Sequence, residues 1–210
     1  MRLMKFVAAT LLSMSVMGAA HSANISLSPT DNYTVAIVDD WDHPFQVWAD
    51  GTYGGDTNWG SFSIVDRFQL PAFTAGTNVT SADYVLHATS APEGSFPHSV
   101  YLTSNTWQAS DVDSGILPQP QGAPLRSFQI GSGQDMHIDL TSAVNAAYHG
   151  DGIITILIAN SDYHYNGQDF DKDKSLNLTI SAVPEPETYA MMLAGLGIMG
   201  MLARRRKTRS

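Results

Sequence analysis

Two groups of side chains in this sequence have the types and spacing to do chemistry. The first is aromatic: Trp41, Trp48, Tyr53 and Trp59 crowd into residues 41–59. Such rings carry a large apolar face with a polar handle, which suits stacking on the apolar faces of pyranose rings. Trp48 sits in a strand-like run, where an aromatic more often belongs to the core. Loop-borne Trp41, Tyr53 and Trp59 are therefore the expected ligand-binding residues. Asp39, Asp40, Asp42, Asp50 and Asp56 lie among them and could meet sugar hydroxyls or a cation, although such runs are more often solvated loops. The second group is acidic. Asp162, His164, Asn166, Gly167 and Asp173 fall at positions 1, 3, 5, 6 and 12 of a calcium-loop template, with Asp169 and Asp171 between them. His at the third position, Phe at the ninth and Asp at the twelfth fit poorly, and the flanking sequence is not helical. Ca2+ held by Asp162, Asn166, Asp169, Asp171 and Asp173 is weighed against a solvated loop.

Other chemistries find little support. Seven histidines are scattered, none in an H-x-x-x-H pair, and His87 and His137 stand in strand alternation where an exposed or satisfied imidazole is expected. There is no G-x-S-x-G elbow, phosphate-binding loop or dinucleotide turn. A glycosidase needs only two suitably spaced carboxylates, but the many acids here make some pair inevitable. No catalytic residue is assigned and no organic cofactor is implied.

Composition bounds the partners. The chain carries a net charge of −9, but residues 24–183 hold only Arg67, Arg126, Lys172 and Lys174 against 18 acidic residues, a charge of −14. Nucleic acid is excluded as a natural partner, since phosphate binding rests on basic groups. Neutral ligands or divalent cations suit such a surface, and an anionic polymer would need bridging cations. With no cysteine, disulfides, zinc thiolates, iron–sulfur clusters and cysteine nucleophiles are ruled out. Of nine methionines, all but Met136 lie in the two ends.

The elements that must position these residues read as β-strands. Short runs at 33–38, 45–49, 61–70, 81–89, 98–104, 126–130, 135–140, 152–160 and 175–182 are rich in β-branched and aromatic residues and punctuated by Gly, Pro, Asn and Asp. Alternation in 83–88 and 175–180 places apolar side chains on one face. The run Ile153–Ala159 is apolar almost throughout, which predicts a central strand covered on both sides. One short helix is predicted over Ser142–His149, with Thr141 or Ser142 as N-cap. This pattern predicts an all-β chain, a single β-sandwich or jelly roll.

Several segments carry a resemblance. Asn58-Trp59-Gly60 is followed by Val65-Asp66-Arg67-Phe68-Gln69-Leu70-Pro71, then by Val79 to Leu86, Val100-Tyr101-Leu102 and the Trp-bearing turn Asn105-Thr106-Trp107. Ile138-Asp139-Leu140-Thr141-Ser142-Ala143-Val144 and the Gly150-Asp151-Gly152 turn precede the long apolar strand. In this order they resemble the DNRLRE-type β-sandwich, a family related to carbohydrate-binding modules. The resemblance implies that Trp107 plugs the sandwich. The acidic, aromatic segment from Trp41 to Asp56 departs from the pattern.

The two ends concern location. Arg2 and Lys5 precede an apolar run from Phe6 to about Ala20, with small residues after it, so residues 1–23 read as a signal peptide cut after Ala20, Ser22 or Ala23. At the other end, Pro184-Glu185-Pro186-Glu187 leads into the uncharged stretch Tyr189–Ala203 and the cluster Arg204-Arg205-Arg206-Lys207-Thr208-Arg209. As a single hydrophobic helix that stretch would reach about 22 Å, short of a hydrocarbon core of about 30 Å, and the basic cluster would stay on the cytoplasmic side. An ordinary single-pass anchor is one reading. In order and content, however, Pro184, Glu185, Pro186, the apolar helix and Arg204, Arg205, Arg206 resemble the PEP-CTERM sorting signal, a tail also known as the ice-binding protein C-terminal domain. That resemblance implies an exosortase-like membrane transpeptidase as processing partner, in a Gram-negative bacterium that makes exopolysaccharide, with membrane attachment only transient. The expected organisation is signal peptide 1–23, sandwich 24–183 and sorting signal 184–210. The expected function is a non-enzymatic protein exported to the cell surface or extracellular matrix, which binds or scaffolds polysaccharide. The alternatives are a small secreted glycan lyase or hydrolase and, less favoured for want of a Thr-x-Thr array, an ice-binding protein.

Overall fold

The computed structural model describes residues 22–38, 45–48, 51–57, 60–73, 77–92, 97–159, 167–182, 193–200 and 204. Twelve strands are described: β1 Ser22–Leu27, β2 Asp31–Val38, β3 Phe45–Trp48, β4 Tyr53–Thr57, β5 Gly60–Gln69, β6 Thr77–His87, β7 His98–Leu102, β8 Arg126–Phe128, β9 Asp135–Asp139, β10 Ile153–Ala159, β11 Gln168–Asp169 and β12 Ser175–Ala182. Two helices join them, α1 Ala109–Asp113 and α2 Thr141–Tyr148. The chain forms two compact units. The sandwich occupies residues 24–72 and 79–179. Of the other unit the described parts are strand ends and a helix over residues 193–200.

One sheet runs β1-β12-β6-β9 and the other β11-β4-β5-β10-β7-β8, with β2 paired to β5 and β3 to β2. Strand β5 is the hub. Along one edge it pairs with β2 from Gly60 to Arg67, while β4 and β10 meet it at its two ends, at residues 60–62 and 64–69. Register puts Phe62, Ile64, Asp66 and Phe68 on one face together with Ile154, Ile156 and Ile158. That face packs against the smaller sheet: Phe68 meets Tyr84 of β6 edge-on at 5.8 Å, and Leu86, Leu176 and Leu178 are fully buried.

The opposite face of the larger sheet is also covered. Val35, Val65 and Leu157 pack with Trp107 and Val112, from the turn and helix that follow β7. Arg67 holds this cover down: its guanidinium lies 3.6 Å above the Trp107 ring and donates to the Trp107 carbonyl at 2.6 Å. Trp107 Nε1 donates to Thr155 on β10. Apolar layers on both faces explain the uninterrupted apolar run of β10, since both of its sides must avoid water. The predicted core role of Trp107 is observed. Four elements the sequence did not signal are present: β1, β4, the two-residue β11 and α1. Two of these, β4 and β11, are short strands paired with each other.

Candidate functional site

The face that is sealed at Ile64, Asp66 and Phe68 opens toward the other end of β5. Phe62, the next residue on that face, is half-buried, and Trp48 of β3 lies beside it with a parallel ring, 6.2 Å between centroids and 18° between planes. Tyr53 of β4 meets Phe62 edge-on at 4.8 Å. Thr34 forms the floor, buried beneath Trp48 through the pairing Thr34↔Trp48, and its Oγ1 accepts the Tyr53 backbone N–H at 3.3 Å. Together with Thr52 these residues line a groove of about 210 Å3. Trp48 is 41% exposed, although it stands on a face that elsewhere forms the core.

Sequence reasoning assigned Trp48 to the core, and the structure corrects this. Its strand is an outer one, paired with β2 alone, so the pattern that marks a strand residue as buried does not apply at the sheet margin. Tyr53, one of the residues expected to bind ligand, lines this groove. Trp41 and Trp59 lie outside the described residues. Phe62 was missed as a site residue; the signal for it was the alternation Phe62, Ile64, Asp66, Phe68 carried beyond the covered part of the strand.

Of the expected metal ligands, Asp162 and Asn166 lie outside the described residues. Asp169 is exposed on β11, and Asp171 uses its carboxylate to accept the Asp173 backbone N–H at 3.1 Å. Among the described residues no group of three His, Asp or Glu could hold a metal ion. His87 and His137 are satisfied and surface-facing, as expected, paired with Asp135 and Asp83, each at 2.6 Å.

A second groove, of about 420 Å3, lies between α2 and the strands β7 and β10, lined by Leu102, Asn105, Ala143, Ala147, Asp151 and Ile154 among others. Asn105 Nδ2 donates to Asp151 Oδ2 at 3.0 Å and to the Ile153 carbonyl at 2.9 Å, while among the described residues Asn105 Oδ1 is buried without a partner. The Ile153 backbone N–H, followed by Asn105, holds the Asp151 carboxyl below the usual carboxylate range.

The described fold is a two-sheet antiparallel sandwich with an aromatic groove at one margin of its larger sheet. Residues 64–181 match the family model of carbohydrate-binding module family 96, and the chain belongs to that family. The aromatic groove is built from residues that precede this matched segment. Residues 182–207 match the PEP-CTERM protein-sorting motif, which marks an exported protein sorted via the membrane. Pro184, Glu185, Pro186, Arg205 and Arg206 lie outside the described residues, whereas Arg204 is helical. Among the described residues no helix is long and apolar enough to cross a membrane. No curated protein matches. Similar solved structures include the K3 adhesin domain of Lys-gingipain from Porphyromonas gingivalis W83, 11% identical, covering 75% of this chain and 99% of that one, with a TM-score of 0.38. The K1 adhesin domain of the same protein is 12% identical, covering 79% and 99%, with a TM-score of 0.24.

Proposed function

We propose that this is a non-enzymatic protein of the cell surface or extracellular matrix, delivered there after an exosortase-like transpeptidase processes its tail, and that it binds exopolysaccharide through the groove of Trp48, Phe62 and Tyr53. The observation that carries the reading is Trp48, a large ring left 41% exposed and braced flat by Phe62 on an otherwise interior face. An aromatic platform of this kind offers a sugar ring apolar contact without first having to be ordered. The described lining, Thr34, Trp48, Thr52, Tyr53 and Phe62, contains no carboxylate or imidazole to act as acid or base, which favours binding over cleavage. The groove also fits a neutral or cation-bridged polymer better than a bare polyanion, given the strongly acidic domain. Ca2+ at the loop of Asp162, Asn166, Asp169, Asp171 and Asp173 is the proposed source of such bridging.

Retention on immobilised polysaccharides, neutral and acidic, in Ca2+ and in chelator, tests the reading. Trp48→Ala is expected to weaken retention about tenfold or more, on the order of 1.4 kcal/mol or above, with little loss of fold because the ring is so exposed. Unchanged retention by Trp48→Ala, but loss on Ala147→Arg, moves the site to the second groove. Release of reducing ends from any polymer would replace binding with catalysis. If chelation changes neither retention nor stability, the calcium proposal falls.

A further inference from the structure

The most unusual group in the sandwich is a lysine that never reaches water. Lys174, the residue immediately before β12, has a side chain with no exposure, and so does Asp66, its partner across the sandwich at 3.2 Å. The ammonium is also a donor to the Gly51 carbonyl and, at 3.2 Å, to Oδ1 of Asn32. Tyr84 donates its hydroxyl to the second Asp66 oxygen at 2.5 Å. Asn32 and Asp66 are direct cross-strand neighbours on β2 and β5. Strands β2 and β5 of the larger sheet, the turn at Gly51, and β6 with the entry to β12 of the smaller sheet thus converge on one amine, one carboxyl and one primary amide.

Burial as a plain ion pair is a poor way to stabilise a fold. Desolvating two charges costs several kcal/mol each, and an apolar replacement often does as well. Nothing in the groove described above uses this cluster, and the closest approach at its centre is unusually tight. A Cβ placed on Gly51 would lie 1.5 Å from Asn32 Oδ1 and 2.6 Å from both Asn32 Cγ and Lys174 Nζ, so that only a glycine, here at φ +55°, leaves the amine and the amide carbon facing a common space. A nucleophile and an acid–base group that are fully buried, held beside a partly buried acyl carbon, have the geometry that converts a slow bimolecular reaction into an intramolecular one.

We propose that Lys174 and Asn32 become joined by an intramolecular amide bond, formed after folding, with Asp66 as the proton carrier. The atoms balance without a co-reactant. A proton passes from the Lys174 ammonium to the Asp66 carboxylate, and the neutral Nζ attacks Cγ of Asn32. Asp66 relays a second proton from the attacking nitrogen to the departing amide nitrogen. The original Cγ–N bond of Asn32 breaks, ammonia leaves, and Cγ–Nζ replaces it, with Asp66 ending protonated. Burial works in the same direction, since desolvation raises the proton affinity of Asp66 above that of an ordinary carboxyl, the charge of Lys174 partly offsetting it. The neutral acid can then donate to the new amide carbonyl, so the polar atoms of the cluster stay satisfied after the reaction. The bond would tie β2 to the entry of β12 across 142 residues, in a chain that has no cysteine with which to make a disulfide.

The test is the mass of the folded, purified full chain and the map of its tryptic peptides after denaturation. The expected chain is lighter by one ammonia than its sequence requires. Its digest contains a branched peptide that joins the segment carrying Asn32 to the one carrying Lys174, with cleavage after Lys174 lost. Asp66→Asn, checked for its fold by circular dichroism, is expected to have the full linear mass and normal cleavage after Lys174, and Lys174→Arg likewise. A wild-type chain of full mass with cleavage after Lys174 overturns the proposal without reference to any variant. Loss of one water, with Lys174 joined to residue 66, overturns Asn32 as the acyl donor. A branched peptide undiminished in Asp66→Asn overturns the role of Asp66.

Discussion

His98 gives the sandwich a built-in sensitivity to acid. It sits at the start of β7 with no exposed surface, 5.5 Å from Phe128 and 5.8 Å from Phe170, and among the described residues neither ring nitrogen has a hydrogen-bond partner. Burial in that aromatic pocket disfavours the imidazolium and lowers its pKa from 6.5 to about 4, the polar Gln168 side chain nearby acting weakly the other way. Because the unfolded chain titrates near 6.5, it binds the extra proton first as pH falls. The contribution of the neutral histidine is therefore complete above about pH 6.5 and is lost progressively as pH drops toward about 4, with a slope near 1.4 kcal/mol per pH unit. From about pH 7.5 to about pH 4.5 this amounts to about 2.7 kcal/mol. The perturbation is His98→Phe, which keeps a flat ring among Phe128 and Phe170 and removes the titration. Urea unfolding of both proteins at several pH values in this window measures it, the difference between them cancelling the carboxylates and the exposed histidines common to both. The wild type should lose about 2.7 kcal/mol relative to the variant across the window. Parallel stability curves would refute the reasoning, since they would mean that the imidazole either finds a proton acceptor when charged or reaches water in the folded state.

Two further substitutions probe the supports of the site. Arg67→Lys keeps the charge but loses the flat guanidinium over Trp107 and the geometry of the bond to its carbonyl; urea midpoints should fall by the equivalent of about 1–2 kcal/mol, and an unchanged midpoint would show that the Trp107 cover holds without it. Gly51→Ala forces a Cβ into Asn32 and the lysine cluster at a positive φ; a loss of about 2 kcal/mol or more in thermal or urea unfolding is expected, and an indifferent protein would mean that the backbone at Gly51 yields freely.

How far the sequence foretold this molecule depends on whether a residue's neighbours in sequence also decide its surroundings. The apolar run of β10 and the alternation in β6 and β12 foretold their strands because burial on two faces or one leaves a periodic trace. Short β4 and β11 left none: Tyr-Gly-Gly-Asp-Thr and Gln-Asp have weak strand propensity, and they form because each pairs with the other and β4 also pairs with β5. The same contrast separates the parts of the site. Trp107 could be placed in the core because a resemblance spanning many segments positioned it. Trp48 could not, since its exposure depends on how far the covering layer extends over the strand hub, a property of the assembled sheets. Lys174 looked like one of four scattered basic residues. Its burial depends on Asp66 and Gly51, both more than 100 positions away.

These misplacements have one physical origin and bear on function together. A single face of β5 changes character along its length, from partly buried at Phe62 to fully buried at Ile64, Asp66 and Phe68. At Asp66 and Phe68 it is core, and it pins a lysine from the opposite layer. At Phe62, only a few residues earlier on the same face, it has become a platform bearing an exposed tryptophan. The rigid half supplies what the open half requires, because an aromatic ring can act as a fixed surface for a sugar only if the strand beneath it does not move. The tight cluster at Asn32, Gly51 and Lys174 adjoins this region through β2, whose next residues Tyr33 and Thr34 lead directly to the groove floor. Anchoring β2 at Asn32 therefore holds Thr34 in register beneath Trp48. On this account Asn32→Ala should weaken polysaccharide retention as well as stability, although Asn32 lies outside the groove. Retention at full wild-type strength in a folded Asn32→Ala protein would show that the platform is held by its own hairpin and owes nothing to the core behind it.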